Sequence, residues 1–288
     1  MGPALILIGV LIFWPAIDTL RLAFMGPQGF AGLANFERVL GDRSTLDLSR
    51  FPGRPPPWGS LIHNALWILI HLPLTVILGL ALAVLFSRVQ GWWVNVMRLS
   101  IFLGMVTPLI VGGVLVRFLF DRDAGIVPGI MGFLGFGDPW NRTWTAFPES
   151  ALLAVVIGSV WLWTGLSMVL HAAGLSTIDP ELFQAAEIDG ASGWHQFWMI
   201  TLPLLWPVTA VVIALTLLWE LKIFDIVYVA TLGGPGGSSM VLALQMYIYA
   251  FRDLDPYRAA AVATLLTAVS LGIGVWFARR TVGVRGAT

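Results

Sequence analysis

Six stretches of this 288-residue chain, near residues 3–24, 61–86, 99–120, 151–175, 204–231 and 257–278, are long and apolar enough to cross a hydrocarbon layer as helices. Inside such a layer each backbone polar group must find its partner within the protein, so the pattern predicts an all-α polytopic membrane protein. Composition agrees. Hydrophobic residues make up 58% of the chain and charged residues 11%, where a soluble domain carries about a quarter charged. Fourteen tryptophans suit a protein with two membrane–water interfaces. The first stretch is predicted to be a span and not a secretory signal, because nothing basic precedes it, no convincing small-residue cleavage site follows, and five further spans come after it.

Sixteen basic residues balance sixteen acidic ones, which offers no electrostatic footprint for nucleic acid and no polybasic tail for a membrane surface. With no cysteine there is no disulfide framework, thiolate metal site or cysteine nucleophile. One transmembrane domain is expected over residues 1–288, with both termini on the same side. Arg88, Arg98, Arg279, Arg280 and Arg285 favour a cytoplasmic location for the segments that carry them and for both termini. The loop 26–59, stiffened by Pro52, Pro55, Pro56 and Pro57, then lies outside as a connector or small cap, and segment 179–203 lies inside. Arg38, Arg43, Arg50 and Arg54 in the long loop oppose this orientation, but long loops obey the charge rule poorly.

Segment 179–203 is a polar island between two apolar stretches. Asp179 is a good N-cap, Pro180 fits the first helical position, and Leu182 to Ile188 contains strong helix formers. Gly190 supplies a stop. Ser192 can cap a second short helix with Trp194, Phe197, Trp198 and Ile200 on its apolar face, before Thr201-Leu202-Pro203 leads into the fifth span. Ala185 and Ala186 keep the first helix slim enough to lie in a groove of another protein. The plain alternative is a buried amphipathic connector.

The spacing Gln184-Ala185-Ala186, three residues, Gly190, nine residues, Ile200-x-Leu202-Pro203 resembles the coupling-loop signature of ABC importer permeases. The chain departs at Gln184, where that family usually has Glu, so a charge-assisted contact there is not implied. Glu187 lies on another part of the helix. Three further segments are similar to the branch that contains the maltose and glycerol-phosphate permeases: Gly32-Leu33-Ala34-Asn35-Phe36, Ala185 to Ser192 with Glu187, Asp189 and Ala191, and Phe224-Asp225-Ile226-Val227-Tyr228-Val229 with Thr231 and Gly233-Gly234-Pro235-Gly236. The resemblance implies a type I ABC importer permease fold, six transmembrane helices and a cytoplasmic coupling-helix loop in a bacterial or archaeal inner membrane. It also implies a second permease subunit, two ATPase subunits that bind ATP and Mg, an extracytoplasmic solute-binding protein, and a sugar, oligosaccharide, polyol or glycerol phosphate as solute. No Gly-x-x-x-x-Gly-Lys-Ser/Thr phosphate loop occurs in this chain, so hydrolysis is expected elsewhere and no cofactor is expected here. Gly233 to Ser239 has no lysine and is expected to be a flexible turn at the outer face.

Ionisable groups in hydrocarbon are costly and usually face a cavity or a partner, which singles out Glu220, Lys222 and Asp225 in the fifth span. At helical pitch Lys222 and Asp225 are neighbours, either a structural ion pair or a path lining. Glu220 has no partner on its own helix and is free for substrate hydroxyls, interhelical bonding or a partner subunit. Trp219, Phe224 and Tyr228 can stack on a sugar, or anchor in lipid and core. Arg117 can snorkel, and Asp18 with Arg21 can pair locally. Pro73, Pro108 and Pro207 can kink helices around a passage. An intramembrane hydrolase would use Ser167 and His171, four apart on one helix face, but the residue after Ser167 is Met168 and such pairs normally come from different helices. His63 and His71 have no acidic neighbour in sequence, so a metal site has little support. An ion-driven secondary transporter is the other rival, with the fifth-span charges as its relay.

Overall fold

A computed structural model of the chain describes residues 2–138 and 140–285; the side chains of Arg280 and Arg285, counted above as orientation signals, lie outside the described residues. Five helices are long and apolar enough to span a bilayer: α1 (Gly2–Ala23) and, later in the chain, Ser60–Arg88, Pro148–Leu175, Gly193–Glu220 and Pro256–Arg279. After α1 come a tight hairpin, β1 (Met25–Gly26) and β2 (Gly29–Phe30), and the short helix α2 (Ala34–Gly41). Asn35 is buried and donates its side-chain amide to the carbonyls of Ala23 at 3.0 Å and Met25 at 2.7 Å. It thereby folds the first loop back over the end of α1.

The centre is the pair α3 (Ser60–Arg88) and α7 (Pro148–Leu175). Small residues permit their approach, as in other membrane bundles. A methyl added at Gly79 of α3 would overlap Ser167 of α7 and come within 2.8 Å of the Met168 nitrogen. The same device joins α4 (Trp92–Val106) to α7, since a Cβ at Gly104 would meet the Trp161 carbonyl at 2.7 Å and one at Gly165 the Ile101 carbonyl at 2.7 Å.

The third apolar stretch is not one straight span. It divides into α4 and α5 (Leu109–Leu119), bent by 113°. Pro108 explains the bend: a residue before proline is driven out of helical geometry, and Thr107 sits at φ −67°, ψ 124°. A short helix, α6 (Ile126–Phe133), then precedes α7.

Past α7, the chain forms α8 (Pro180–Ile188), then α9 (Gly193–Glu220), α10 (Asp225–Thr231), α11 (Leu242–Tyr247) and α12 (Pro256–Arg285). Two expectations fail here. The second helix of the island is not separate; it is the first turns of α9, continuous through a widened turn at Phe197–Thr201 that precedes Pro203, whose missing N–H leaves the ladder short of a donor. The fifth span also ends early. It stops at Glu220, and the remainder of the 204–231 stretch folds separately as α10. The cause is tertiary: the Glu220 carbonyl accepts from Asn64 Nδ2 at 3.3 Å and its side chain is held by α3.

One face of α3 carries a buried polar stripe, Ser60, His63, Asn64, His71 and Thr75, at helical spacing. Ser60 donates to Gln245, and Asn64 Oδ1 accepts from the Leu242 nitrogen at 2.7 Å. His63 takes the Trp58 N–H on Nε2 at 3.2 Å and places Nδ1 2.9 Å from the Met240 carbonyl, which fixes a neutral ring with its proton on Nδ1. Apart from the hairpin, the described fold is all helical.

Candidate functional site

Residues 179–203 build an exposed elbow. The Asp179 carboxylate accepts the Glu181 N–H at 2.9 Å and starts α8. At its other end Gly190 adopts φ +78°, its N–H reaches the Glu187 carbonyl at 3.0 Å, and the Ala191 N–H reaches the Ala186 carbonyl at 2.8 Å. This is a Schellman closure, which requires a left-handed residue and so favours glycine. Ser192 then caps α9 by accepting the His195 N–H at 3.3 Å.

No residue of α8 is buried. Gln184, Ala185, Glu187, Asp189 and Gly190 are exposed, while Ala186, Ala191, Ile200 and Leu202 are half-buried and Pro203 is exposed. Leu182 and Ile188 are left uncovered, Ile188 at 87% exposure. The elbow leans on the bundle where Gly193 abuts the Arg88 guanidinium and Gln196, buried, ties back to the Ala191 carbonyl at 3.3 Å.

The charged groups near the end of α9 separate into different environments. Glu220 is fully buried, and its Oε1 lies 2.6 Å from His71 Nδ1. His71 therefore does have an acidic neighbour, contrary to expectation, because the partner comes from another helix. Trp67 and Trp163 wall this pair, with ring centroids 5.8 and 5.3 Å from the His71 ring. Lys222 and Asp225 form no ion pair: the chain between them is non-helical, so the one-turn neighbourhood that helical pitch implies does not exist. Asp18 and Arg21 do pair, at 3.8 Å. Arg117 is exposed.

Lys222 is exposed beside a groove of about 850 Å³ that Phe224, Tyr247 and Phe251 line, together with Thr267 and Ser270 of α12. Phe224 stacks on Tyr228 at 5.3 Å and meets Tyr247 at a tilt at 5.4 Å, and Tyr247 meets Phe251 at 5.0 Å. Trp219 is elsewhere, 54% exposed and edge-on to Trp163 at 6.0 Å. Sequence reasoning missed Tyr247 and Phe251, although their four-residue spacing places them on one helix face; it also passed over His71 as a partner for Glu220.

The glycine-rich turn is closed on itself by hydrogen bonds. Gly233 at φ +79° lets the Ser239 N–H reach its carbonyl at 3.1 Å, while Thr231 Oγ1 and Ser239 Oγ lie 2.7 Å apart and Ser238 and Ser239 are fully buried. Ser167 Oγ and His171 Nδ1 do approach to 3.3 Å, but that nitrogen also faces a carbonyl, which only accepts, and so carries the ring proton and cannot act as a base toward the hydroxyl. His171 is fully buried, with Nδ1 2.8 Å from the Ser167 carbonyl and Nε2 3.1 Å from Thr209 Oγ1, so both ring nitrogens are occupied. Among the described residues no group of three or more His, Asp or Glu is placed to hold a metal ion.

Residues 75–282, which contain the elbow, the helix break and most of the groove, match the family described as binding-protein-dependent transport system inner membrane component. The chain belongs to that family. As a permease it is a transport component and not an enzyme, embedded as a multi-pass protein through its long apolar helices. It is 47% identical over 278 residues to a probable ABC transporter permease protein of Pyrococcus horikoshii, covering 96% of this chain and 95% of that one. It is 32% identical over 274 residues to the trehalose/maltose transport system permease protein of Thermococcus litoralis, covering 93% and 86%. The fold of the permease is similar to that of a chain in the crystal structure of a bacterial ABC transporter involved in import of the acidic polysaccharide alginate, with a TM-score of 0.77, 20% identity, and coverage of 96% and 92%.

Proposed function

We propose that the permease pairs with a second permease subunit to form the passage for a sugar, oligosaccharide or polyol delivered by an external binding protein, and that a separate ATPase dimer, binding ATP and Mg, drives it by gripping α8. What supports the grip is an uncovered helix whose Schellman closure at Gly190 joins it through the Ser192 cap to α9, whose first turns run on into a span. An elbow of this kind transmits tilt where a floppy loop would not. Gln184, Ala185, Ala186, Glu187, Asp189, Gly190 and Ala191 form its contact surface, and Ile200, Leu202 and Pro203 carry the motion into α9. The elbow and both termini face the cytoplasm in this reading, and the loop 26–59 faces outward.

The carbohydrate class rests on the trehalose/maltose relative and on the aromatic rings that line the groove, whose size suits a small saccharide. Lys222, Phe224 and Tyr228 belong to the path with Tyr247 and Phe251; Glu220 shapes it from behind by holding the helix break. The test is uptake of radiolabelled trehalose, maltose and glycerol phosphate into proteoliposomes. The chain alone should transport none, and the complex with a second permease, the ATPase and the external solute-binding protein should transport one with ATP. Uptake by the chain alone under an ion gradient would establish a secondary transporter instead.

A further inference from the structure

Neither the elbow nor the solute groove uses Arg98 of α4. Trp92 and Trp93 begin that helix, each 62% exposed and stacked on one another at 3.6 Å, as amphipathic aromatics do at a membrane–water interface. Arg98 follows six residues after Trp92, about 9 Å further along the helix and toward the hydrocarbon. It is exposed, and among the described residues it makes no ion pair. Its guanidinium reaches back to donate to the Phe86 carbonyl and lies over the Phe86 ring at 5.7 Å. One neutral acceptor leaves most of its five N–H donors without a partner, and an intramembrane arginine is costly unless a counter-charge meets it.

Beside Arg98 runs a groove of about 610 Å³ between the ends of α3 and α7 and the first half of α4. Its walls are apolar, built by Phe86, Leu99, Phe102, Met168, Val169 and Leu175. The polar lining is at the end toward which Arg98 reaches: Ser87 is one residue from the end of α3, and Ser176 follows the last residue of α7. Both helices end on the elbow's side, where Arg88 Nη2 donates to the Gly193 carbonyl at 3.5 Å. Ser87, Leu99, Val169, Ala172 and Ser176 are exposed, so the groove opens to its surroundings. No carboxylate lines it.

An apolar trough headed by an unpaired guanidinium and two hydroxyls matches the two-part chemistry of a phospholipid, with chains against the walls and a phosphate on the arginine. The headgroup is specified as well. A choline or ammonium would find no counter-charge in a lining without carboxylates, so a net-negative headgroup fits where a zwitterionic one does not.

We propose that this groove seats an anionic phospholipid from the surrounding bilayer, its phosphodiester on Arg98 and its acyl chains against α3, α4 and α7. None of the lining residues belongs to the Lys222 groove or to α8, so the site is separate from those assigned to transport.

The test places a single thiol in the cysteine-free full chain, Ala172→Cys, labels it with bimane and reconstitutes it in phosphatidylcholine nanodiscs. Quenching by doxyl-labelled phosphatidylglycerol is compared with quenching by doxyl-labelled phosphatidylcholine at equal mole fraction. The groove should prefer phosphatidylglycerol by about three- to tenfold, less as salt rises from about 50 to about 300 mM. A bimane at Leu69→Cys, on the 69%-exposed lipid face of α3, should show no preference. Arg98→Gln should bring the groove's ratio close to one, and Arg98→Lys should keep most of it. Ser87→Glu, which places a carboxylate at the head of the groove and leaves Arg98 intact, should abolish it independently. A ratio near one in the unsubstituted groove, or a ratio unchanged by both Arg98→Gln and Ser87→Glu, overturns the proposal. Suppression of the preference by millimolar glycerol phosphate overturns it in favour of a soluble-phosphate site. Loss of lipid quenching when the second permease and the ATPase assemble overturns it in favour of a subunit contact.

Discussion

At the scale of residues, Asp179, Ser192 and Gly190 shape the elbow, and the Glu220–His71 pair ties α9 to α3. Asp179, Ser192 and Gly190 act on neighbours within a few positions, so their chemistry can be read directly from the chain. Glu220 and His71 are 149 positions apart, and only packing of α9 on α3 reveals them. An intramembrane histidine is itself a signal to look for such a partner. Removing Glu220 leaves the buried His71 ring without that partner, so Glu220→Ala should destabilise the permease by about 1 to 3 kcal/mol, read from thermal unfolding in detergent. Glu220→Gln retains an acceptor for His71 and should cost clearly less. Gly190→Leu should cost only about 1 to 2 kcal/mol, because the surroundings are open and the strain is that of a left-handed backbone. ATP hydrolysis by the assembled importer should then continue while uptake falls. In the groove, Tyr247→Ala or Phe251→Ala should raise the KM for solute by about two- to tenfold, the worth of one aromatic contact, and Trp219→Ala should leave it nearly unchanged.

Elements show why apolar length predicts a span's existence better than its ends. Four stretches became long helices near their expected limits, but proline chemistry split the third, and an Asn64 side chain with a buried Glu220 ended the fifth where no glycine or proline marks a stop. Tight helix crossings were likewise invisible until α3 met α7. Gly79→Leu should disrupt that crossing by about 1 to 3 kcal/mol or more, measurable as a lower melting temperature and reduced yield of folded protein. The first loop is tied to the start of α12 by charge. Arg38 meets Asp255 at 3.4 Å, and Arg258 reaches Asp42 at 3.7 Å. Burial pushes the Asp42 carboxyl up, but hydrogen bonds from Ser44 and Tyr249 and the Arg258 charge outweigh it and hold the group below its ordinary 3.8. Burial likewise pushes the Asp255 carboxyl up, but hydrogen bonds from Arg258 and the charges of Arg258 and Arg38 outweigh it and hold the group below 3.8 as well. Depressed carboxylates contribute stability that is fully present above their unfolded value and is lost as pH falls through the folded one. Melting temperature should therefore be insensitive to these groups at neutral pH and should decline below about pH 4, less steeply in Asp255→Asn.

Over the whole molecule, a central α3–α7 pair holds the other elements in place: the elbow on one side of α9, the helix break and groove at its other end, and the first loop stapled across α3, α11 and α12. α1 is almost wholly uncovered, with Ala23 its one buried residue, and packs against α12, which leaves broad apolar faces for lipid or for the second permease. Polar chemistry is concentrated where motion must be carried or partners met. In the proposed importer a nucleotide-hydrolysing subunit grips α8 from the inner side. The cysteine-free chain permits its most direct test, with Gln184→Cys as the single thiol in the assembled importer and cross-linking to a short bismaleimide in inside-out vesicles. A cross-link to the ATPase subunit that changes yield on ATP binding is the predicted result. A thiol that labels from outside in intact cells, or that never joins the ATPase in an active complex, would contradict the account.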